Sequence, residues 1–433
     1  MKRYAMEKLV NWKNSKKRKP MILRGARQVG KTWLMQELGK THFQNTAYIN
    51  FDNSSRMKSL FDENYDIPRL IEGLQIEANE RIDPHNTLII FDEVQEVPKA
   101  LSSLKYFYEN NPEYAIIAGG SLLGIAMHKN TSFPVGKVDF LNLYPLSFCE
   151  YLEGIGEQNL ARLLLKRDWD LINAFSSKFS DLLRKYYFIG GMPEAIVEYA
   201  DGGDYSKVRR IHEQILFAYE NDFSKHPPTN TIPRINSIWK SIPSQLSREN
   251  KKFSPGIVKK GSRIHDFELA LGWLEDCGLI YKVYQVSKPG VPLSSYQTHS
   301  FKLFMHDVGL LSAMSGLDIE VLLDGRRIFE EFKGALAEQY VLQEMLASGI
   351  MPTYWPTYWS SQGKAEVDFV FKHGSEIYPL EVKAEENLQS KSLKVYAEKY
   401  SPTISIRTSM RNYRKEARLI NIPLYAIGTN FIK

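Results

Sequence analysis

Met21-Ile22-Leu23-Arg24-Gly25-Ala26-Arg27-Gln28-Val29-Gly30-Lys31-Thr32-Trp33-Leu34-Met35-Gln36-Glu37-Leu38 decides the fold class of this chain. A short apolar run, an octet of the form GxxxxGK[ST] and a helical pattern follow one another. In that order of strand, loop and helix, consecutive backbone N–H groups turn inward on an anion at a helix N-terminus, where the dipole also favours negative charge. The spacing assigns Gly25, Ala26, Arg27, Gln28, Val29, Gly30, Lys31 and Thr32 to the phosphates of ATP. Lys31 would neutralise β/γ oxygens, and the Thr32 hydroxyl would hold Mg²⁺.

A metal-bound triphosphate also needs a carboxylate at the end of a nearby strand. Thr87-Leu88-Ile89-Ile90-Phe91-Asp92-Glu93 supplies an apolar strand ending in two acids. Asp92 would orient the Mg²⁺ shell and Glu93 would polarise the attacking water. The second acid favours hydrolysis over phosphoryl transfer to a small molecule, so a small-molecule kinase is the weaker alternative. Tyr114-Ala115-Ile116-Ile117-Ala118-Gly119-Gly120-Ser121 reads as the next strand, with Ser121 a candidate γ-phosphate sensor. An arginine finger acting in trans would require a homo-oligomer. Lys137 and Arg27 are the basic residues near enough in sequence to be considered for that role, and a solvated surface cation is the plainer reading of each.

Farther out, apolar β-rich runs separated by helix-length spacers extend from Pro20 to about Phe148, the pattern of buried parallel strands in an α/β core. Residues 151–225 lose the strand signal and read as helices, broken by Gly190-Gly191-Met192-Pro193. Residues 226–323 open on His226-Pro227-Pro228. A helix from Phe267 stops at Gly278 and a strand follows from Leu279 to Val286, which suits a winged helix. Lys251, Lys252, Lys259, Lys260 and Arg263 precede that helix as candidate phosphate contacts. Residues 324–433 form a last unit, with a helix through Ala335–Ala347 and two strands beyond it.

Those two strands carry the second constellation. Glu366-Val367-Asp368-Phe369-Val370-Phe371 and Tyr378-Pro379-Leu380-Glu381-Val382-Lys383 read as a pair. Alternation then lets Asp368, Glu381 and Lys383 converge on one divalent metal, with the lysine left to orient or deprotonate water. Glu338 on the preceding helix would be a fourth acid. This is the working set of a metal-dependent phosphodiesterase, although a bare ExK triplet is common and Glu331-Phe332-Lys333 is another. A domain that keeps the fold but binds without cutting is the alternative, and a solvated cluster of strand-edge charges the plainest.

Composition bounds the rest. The chain has 433 residues, 43% of them apolar and 24% charged, which suits a folded chain of about three domains. The net charge is +6, and nine Lys/Arg against four Asp/Glu lie between Ala384 and Lys433, so the basic excess sits near the C-terminus. There, Arg407, Arg411, Arg414, Lys415 and Arg418 are spaced so that several would share a helical face tracking phosphates, if the run is more than a solvated face. Cys149 and Cys277 are too far apart in sequence for a CxxC motif and too few for a disulfide framework. With no signal-peptide pattern and no apolar stretch of about eighteen residues, the expectation is a cytoplasmic protein without a membrane partner. His85 and His128 lack metal-ligand spacing.

Taken together, GARQVGKT at Gly25–Thr32, Ile90–Gln95, Leu143–Leu152, Gly190–Ala195, Phe301–Leu311 and Gly334–Glu338 resemble a prokaryotic family of AAA-like P-loop ATPases whose C-terminal domain is of unknown function. The resemblance covers nearly the whole chain, with the motifs in order. It departs at Lys137, where an arginine is common, and at Gly119-Gly120-Ser121, where Gly-Ser-Ser is common. It implies an α/β protein: an AAA-type parallel-sheet ATPase core over residues 1–150, a helical lid over 151–225, a winged-helix segment over 226–323 and a restriction-endonuclease-like, PD-(D/E)XK domain over 324–433. The implied function is an ATP-hydrolysing NTPase coupled to a nuclease-like domain acting on or binding nucleic acid, DNA more than RNA. The alternative is a regulatory switch that docks its partner without cutting it.

Overall fold

Met21–Arg24 (β1), Asn45–Asn50 (β2), Thr87–Asp92 (β3), Ala115–Gly119 (β4) and Asp139–Asn142 (β5) build one sheet in the order β2-β3-β4-β1-β5. Every pairing in it is parallel. In this computed structural model residues 1–52, 54–121, 123, 134, 136–320, 330–349, 356–361, 365–384 and 390–429 are described. Parallel strands need crossovers, and the helices Lys31–His42, Ile67–Ala78 and Pro98–Asn110 supply them. With helices covering it, β3 is buried along its whole length, as its unbroken apolar run requires. Phe51, Phe61 and Phe91 meet at ring-centroid distances of 5.2–5.9 Å in the core beneath. Because the strands run the same way, the loops leaving β1, β3 and β4 emerge along one edge of the sheet.

Lys2–Tyr144 and Asp276–Leu279 form this compact unit, and Pro145–Glu275 with the chain from Ile280 form a second. The second unit begins with helices, as the sequence suggested. Phe148–Gly154 starts at a capping box in which Ser147 and Glu150 satisfy each other's backbone N–H groups. Ser176–Ile189, Tyr205–Lys225 and Ile232–Leu246 are the long helices that follow. The Gly190-Gly191-Met192-Pro193 break is a packing joint: the Gly191 N–H donates to Asp307 at 2.6 Å and its carbonyl accepts from Leu146 at 2.7 Å.

After the helices come Ile280–Val286 (β6), Gln297–Met305 (β7), Thr357–Ser360 (β8), Glu366–His373 (β9), Glu376–Val382 (β10), Ser405–Ser409 (β11), Arg414–Glu416 (β12) and Leu419–Pro423 (β13). All eight belong to one mixed sheet in the order β12-β13-β11-β10-β9-β8-β6-β7. The helix–glycine–ribbon pattern expected over 226–323 exists, since β6 and β7 pair antiparallel after the helix Glu268–Asp276. But β6 also pairs in parallel with β8, so strands from both sides of the expected 323/324 boundary share a sheet. Asp324 itself lies outside the described residues. A second hydrogen-bonding edge on β6 would otherwise face solvent, and β8 covers it.

Candidate active site

The phosphate loop has the backbone its sequence requires. Gln28 at φ +67° and Gly30 at φ +91° turn the chain so that Gly30 caps the helix Lys31–His42 without a side-chain bond. The helix's first N–H groups therefore face the loop. A Cβ at Gly25 would lie 2.2 Å from the Leu143 carbonyl oxygen, so the loop closes only with glycine there. Arg3 braces it from outside: its guanidinium donates to Val29 O at 2.8 Å and to Tyr144 O at 2.7 Å. Arg27 and Gln28 are exposed at the tip, while Ala26 and Val29 are buried beneath.

Lys31 is 7% exposed and donates to the carbonyls of Gly25 at 2.9 Å and Ala26 at 2.8 Å. Burial lowers its ammonium to about 8, against the pull of Glu93 and Asp92, so it is poised to gain from an arriving anion. Thr32 Oγ1 donates to Asp92 Oδ2 at 2.8 Å, and Tyr48 OH donates to the same oxygen at 2.8 Å. An all-oxygen pair of hydroxyl and carboxylate is the donor chemistry Mg²⁺ takes alongside phosphate oxygens, so Thr32 and Asp92 fit the ion.

Glu93 stands at φ +50°, a left-handed conformation that a side chain adopts only when its surroundings hold it. Its Oε2 accepts from Gln95 Nε2 at 2.6 Å, Ser121 N at 3.1 Å and Ser121 Oγ at 3.0 Å. Burial works against the charged form, yet these bonds and Lys31 outweigh it and hold the carboxyl below its ordinary range. Ser121, expected as a phosphate sensor, is thus bonded to Glu93. Gly120 makes this possible, since a Cβ there would lie 1.8 Å from Gln95 Oε1. Tyr48 and Arg3 carry no site signal of their own in sequence, Gln95 stands there only as the end of the Ile90–Gln95 stretch, and only the fold gives the three their contacts. Lys137, considered as a finger, is bonded to Glu109 at 2.9 Å. His85 is an exposed loop residue, and His128 lies outside the described residues.

The C-terminal carboxylates do not gather as expected. β9 and β10 do pair antiparallel, in a ladder running from Glu376 opposite His373 to Leu380 opposite Phe369. Beyond it Asp368 Oδ2 accepts the Val382 N–H at 2.8 Å, while Glu381 pairs with Lys383 at 2.7 Å. The other Glu381 oxygen is buried with no partner. Asp368 and Glu338 instead meet around a residue from β7. Lys302 is fully buried, its Nζ 3.1 Å from Glu338, 2.6 Å from Glu366 and 3.6 Å from Asp368. Lys251, read from sequence as a phosphate contact, is bonded to Glu338 as well.

Burial opposes the Lys302 charge, but the three carboxylates outweigh it and hold its ammonium above the ordinary range. Asp368 is pushed up to about 7 by burial and by Glu338. An internal ammonium thus stands among these acids where the sequence suggested a metal. Among the described residues no group of three or more His, Cys, Asp and Glu is disposed to hold one.

The basic run near the C-terminus is likewise not helical. Arg407 lies in β11, Arg414 and Lys415 in β12, and Arg411 and Arg418 in the turns beside them. Alternating short strands around Asn421 override the helical spacing.

These observations define an AAA-type P-loop ATPase domain, and comparison with known proteins agrees. Residues 17–152 match an AAA domain family, residues 180–320 a domain of unknown function (DUF8612) and residues 333–427 another (DUF4143). No curated protein matches the chain. Among solved structures, the Walker-type ATPase PABY2304 of Pyrococcus abyssi is 14% identical, with 72% of this chain and 95% of that one covered at a TM-score of 0.45. The Aeropyrum pernix Orc1 protein in complex with DNA is 13% identical, covering 72% and 90% at a TM-score of 0.27. Cdc6p from Pyrobaculum aerophilum is 12% identical, covering 74% and 93% at 0.26. No helix among the described residues is long and apolar enough to cross a membrane.

Proposed function

We propose that the protein hydrolyses ATP and uses the nucleotide to switch a C-terminal domain that docks a partner without cutting it. The observation that carries the first half is the Thr32–Asp92 hydroxyl–carboxylate pair beside Glu93 at the mouth of the phosphate loop. Lys31 and the loop N–H groups bind the phosphates, Thr32 and Asp92 hold Mg²⁺, and Glu93 takes a proton from the attacking water. Bound Mg²⁺ would supply charge neutralisation on the phosphate oxygens. Gln95 and Ser121 set the position of Glu93, so a bound γ-phosphate must compete with them for it.

The non-cutting reading is favoured over the nuclease by Lys302. A fixed ammonium bonded to Glu338 and Glu366 neutralises the charge a metal would need, and displacing it would leave a buried unpaired cation. The lid, winged-helix and restriction-endonuclease-like identities of residues 151–433 belong to this proposal too, as does a cytoplasmic location.

Two assays on the purified chain test it. Wild type releases inorganic phosphate from ATP, and Glu93→Gln binds ATP without turnover. Single- and double-stranded DNA and RNA stay intact with Mg²⁺ or Mn²⁺, with and without ATP. Cleavage by wild type that vanishes in Asp368→Ala would restore the nuclease and overturn the docking half.

A further inference from the structure

The helix Ser176–Ile189 and the turn between β11 and β12 enclose a cleft of about 580 Å³. Arg184, Arg407, Arg411 and Arg414 line it with one acid, Asp181, bonded to Arg184 at 3.0 Å, while Glu416 beside the cleft holds Arg414 Nε at 2.7 Å, so the arginines stay in excess. Arg407 is 5% exposed, so its guanidinium forms part of the cleft wall, fixed by a 3.0 Å bond to Asn421 Oδ1. The acids that weigh on it are Glu416 and Glu381. Asn421, itself buried, also donates to the carbonyls of Arg411 at 3.2 Å and Asn412 at 3.0 Å. Ser409 Oγ joins it at 2.9 Å and accepts the Arg411 N–H at 3.2 Å. The turn that presents Arg411 is therefore preorganised by a buried amide and not left to solvent.

At this turn Tyr413 stacks on Trp169, with ring centroids 4.1 Å apart and planes 7° from parallel, and both rings remain partly exposed. Beyond the cleft Lys415 and Arg418 continue the basic surface on exposed positions, so the charge outruns what one small anion would occupy.

We propose that this cleft binds single-stranded nucleic acid, seating backbone phosphates among Arg184, Arg407, Arg411 and Arg414 with a base extending the Trp169–Tyr413 stack. Guanidinium forks match phosphate oxygens in pairs, and an aromatic platform beside a basic groove takes bases without regard to sequence. Ser176 and Ser177, at the N-terminal end of the same helix, also line the cleft. A cleft of this volume has room for a short stretch of one strand, whereas a duplex would meet it only across its mouth. The proposal rests on the docking reading of the C-terminal domain and names what it docks. It places recognition at the arginine cleft and leaves Glu338, Asp368 and Lys302 out of it.

The test is fluorescence anisotropy with the full-length protein, labelled dT20 and U20, a duplex of the same length, and inorganic phosphate and AMP as competitors. Single strands bind, the duplex binds at least tenfold more weakly, and Arg411→Ala/Arg414→Ala lowers affinity at least tenfold while ATP hydrolysis without nucleic acid is unchanged. The slope of log affinity against log salt falls by roughly 1.4, since two phosphate contacts are lost at about 0.7 each. Equal binding of the double variant and wild type would overturn the site, and equal duplex binding would overturn the strand selectivity. Full displacement by phosphate or AMP at concentrations that spare no oligonucleotide length would reassign the cleft to a free phosphate ligand. These outcomes are separate from strand cleavage by wild type, which overturns the docking reading itself.

Discussion

At the residue scale, function at the phosphate loop turns on two charges held at opposite tension. Lys31 is brought down to about 8 by burial, and ATP phosphates would raise it again. The free enzyme thus loses the binding proton above pH 8 while the complex retains it, and ATP affinity falls by about tenfold between pH 7 and pH 9. Calorimetric titration at the two pH values checks this, and Lys31→Ala abolishes tight binding and its pH dependence together. Glu93 is clamped the other way. Ser121→Ala removes one of its three bonds while leaving the backbone N–H in place, so it alters kcat several-fold with ATP affinity unchanged, as steady-state phosphate release would register.

The same scale holds the Lys302 cluster. Lys302→Met leaves buried Glu338 and partly buried Asp368 and Glu366 with Lys251 as the remaining cation, bonded to Glu338, and the uncompensated charge costs about 3–5 kcal/mol. Urea denaturation of the variant reports the loss. Millimolar Mg²⁺ or Mn²⁺ recovers part of it, because the vacated acids then have room for a divalent ion, whereas wild type shows no such gain.

At the scale of elements, Glu344 ties the helix Glu330–Ala347 to the helix Phe148–Gly154 by accepting the Phe148 N–H at 2.7 Å. Burial pushes its carboxyl up to about 8, and Glu150 adds to the shift. The folded chain therefore holds a proton that the unfolded chain releases near pH 4.5. Stability falls as pH rises from there to about 8, at up to about 1.4 kcal/mol per unit. Asp307, raised by burial to about 6, adds a slope of the same sign up to that pH. Glu344→Gln keeps an acceptor for Phe148 and carries no charge, so its urea midpoint exceeds that of wild type at pH 8 and approaches it below about pH 4.5. The strands around Asn421 make a related point: Arg407 to Arg418 have helical spacing, yet β13 pairs with β11 in parallel and with β12 as a hairpin, and takes the run into the sheet instead.

At the scale of the whole molecule, the eight-stranded sheet draws on residues from Ile280 to Pro423 and ignores the boundary that composition suggests. A chain ending at residue 323 would keep β6 and β7 but lose β8 from the open edge of β6. It would also strand Lys302 in an apolar interior without its carboxylates. Such a truncation is expected to be insoluble or to lack cooperative unfolding, while the full chain unfolds cooperatively; expression yield and circular dichroism on heating distinguish them.

The candidate nucleotide site was legible in the sequence as a loop and a strand end because its pattern is local. Glycines, Lys31 and Thr32 lie within one turn, and an apolar strand followed by Asp92 and Glu93 carries its meaning in adjacent residues. The helical stretch after residue 150 and the paired strands at Glu366 and Glu376 were legible for the same reason, since periodicity is a property of neighbours. What needed the tertiary structure was every relation between distant segments: Arg3 bracing Val29, Ser121 and Gln95 on Glu93, and the arginines converging on a cleft. Lys302 is the clearest case. Nothing around it in sequence separates it from a solvated strand lysine, and only the fold, which brings side chains of β7, of β9 and of the helix carrying Glu338 to one point, makes it the cation among three acids. Whether carboxylates attract a metal depends on what charge already stands between them, and that is decided by packing.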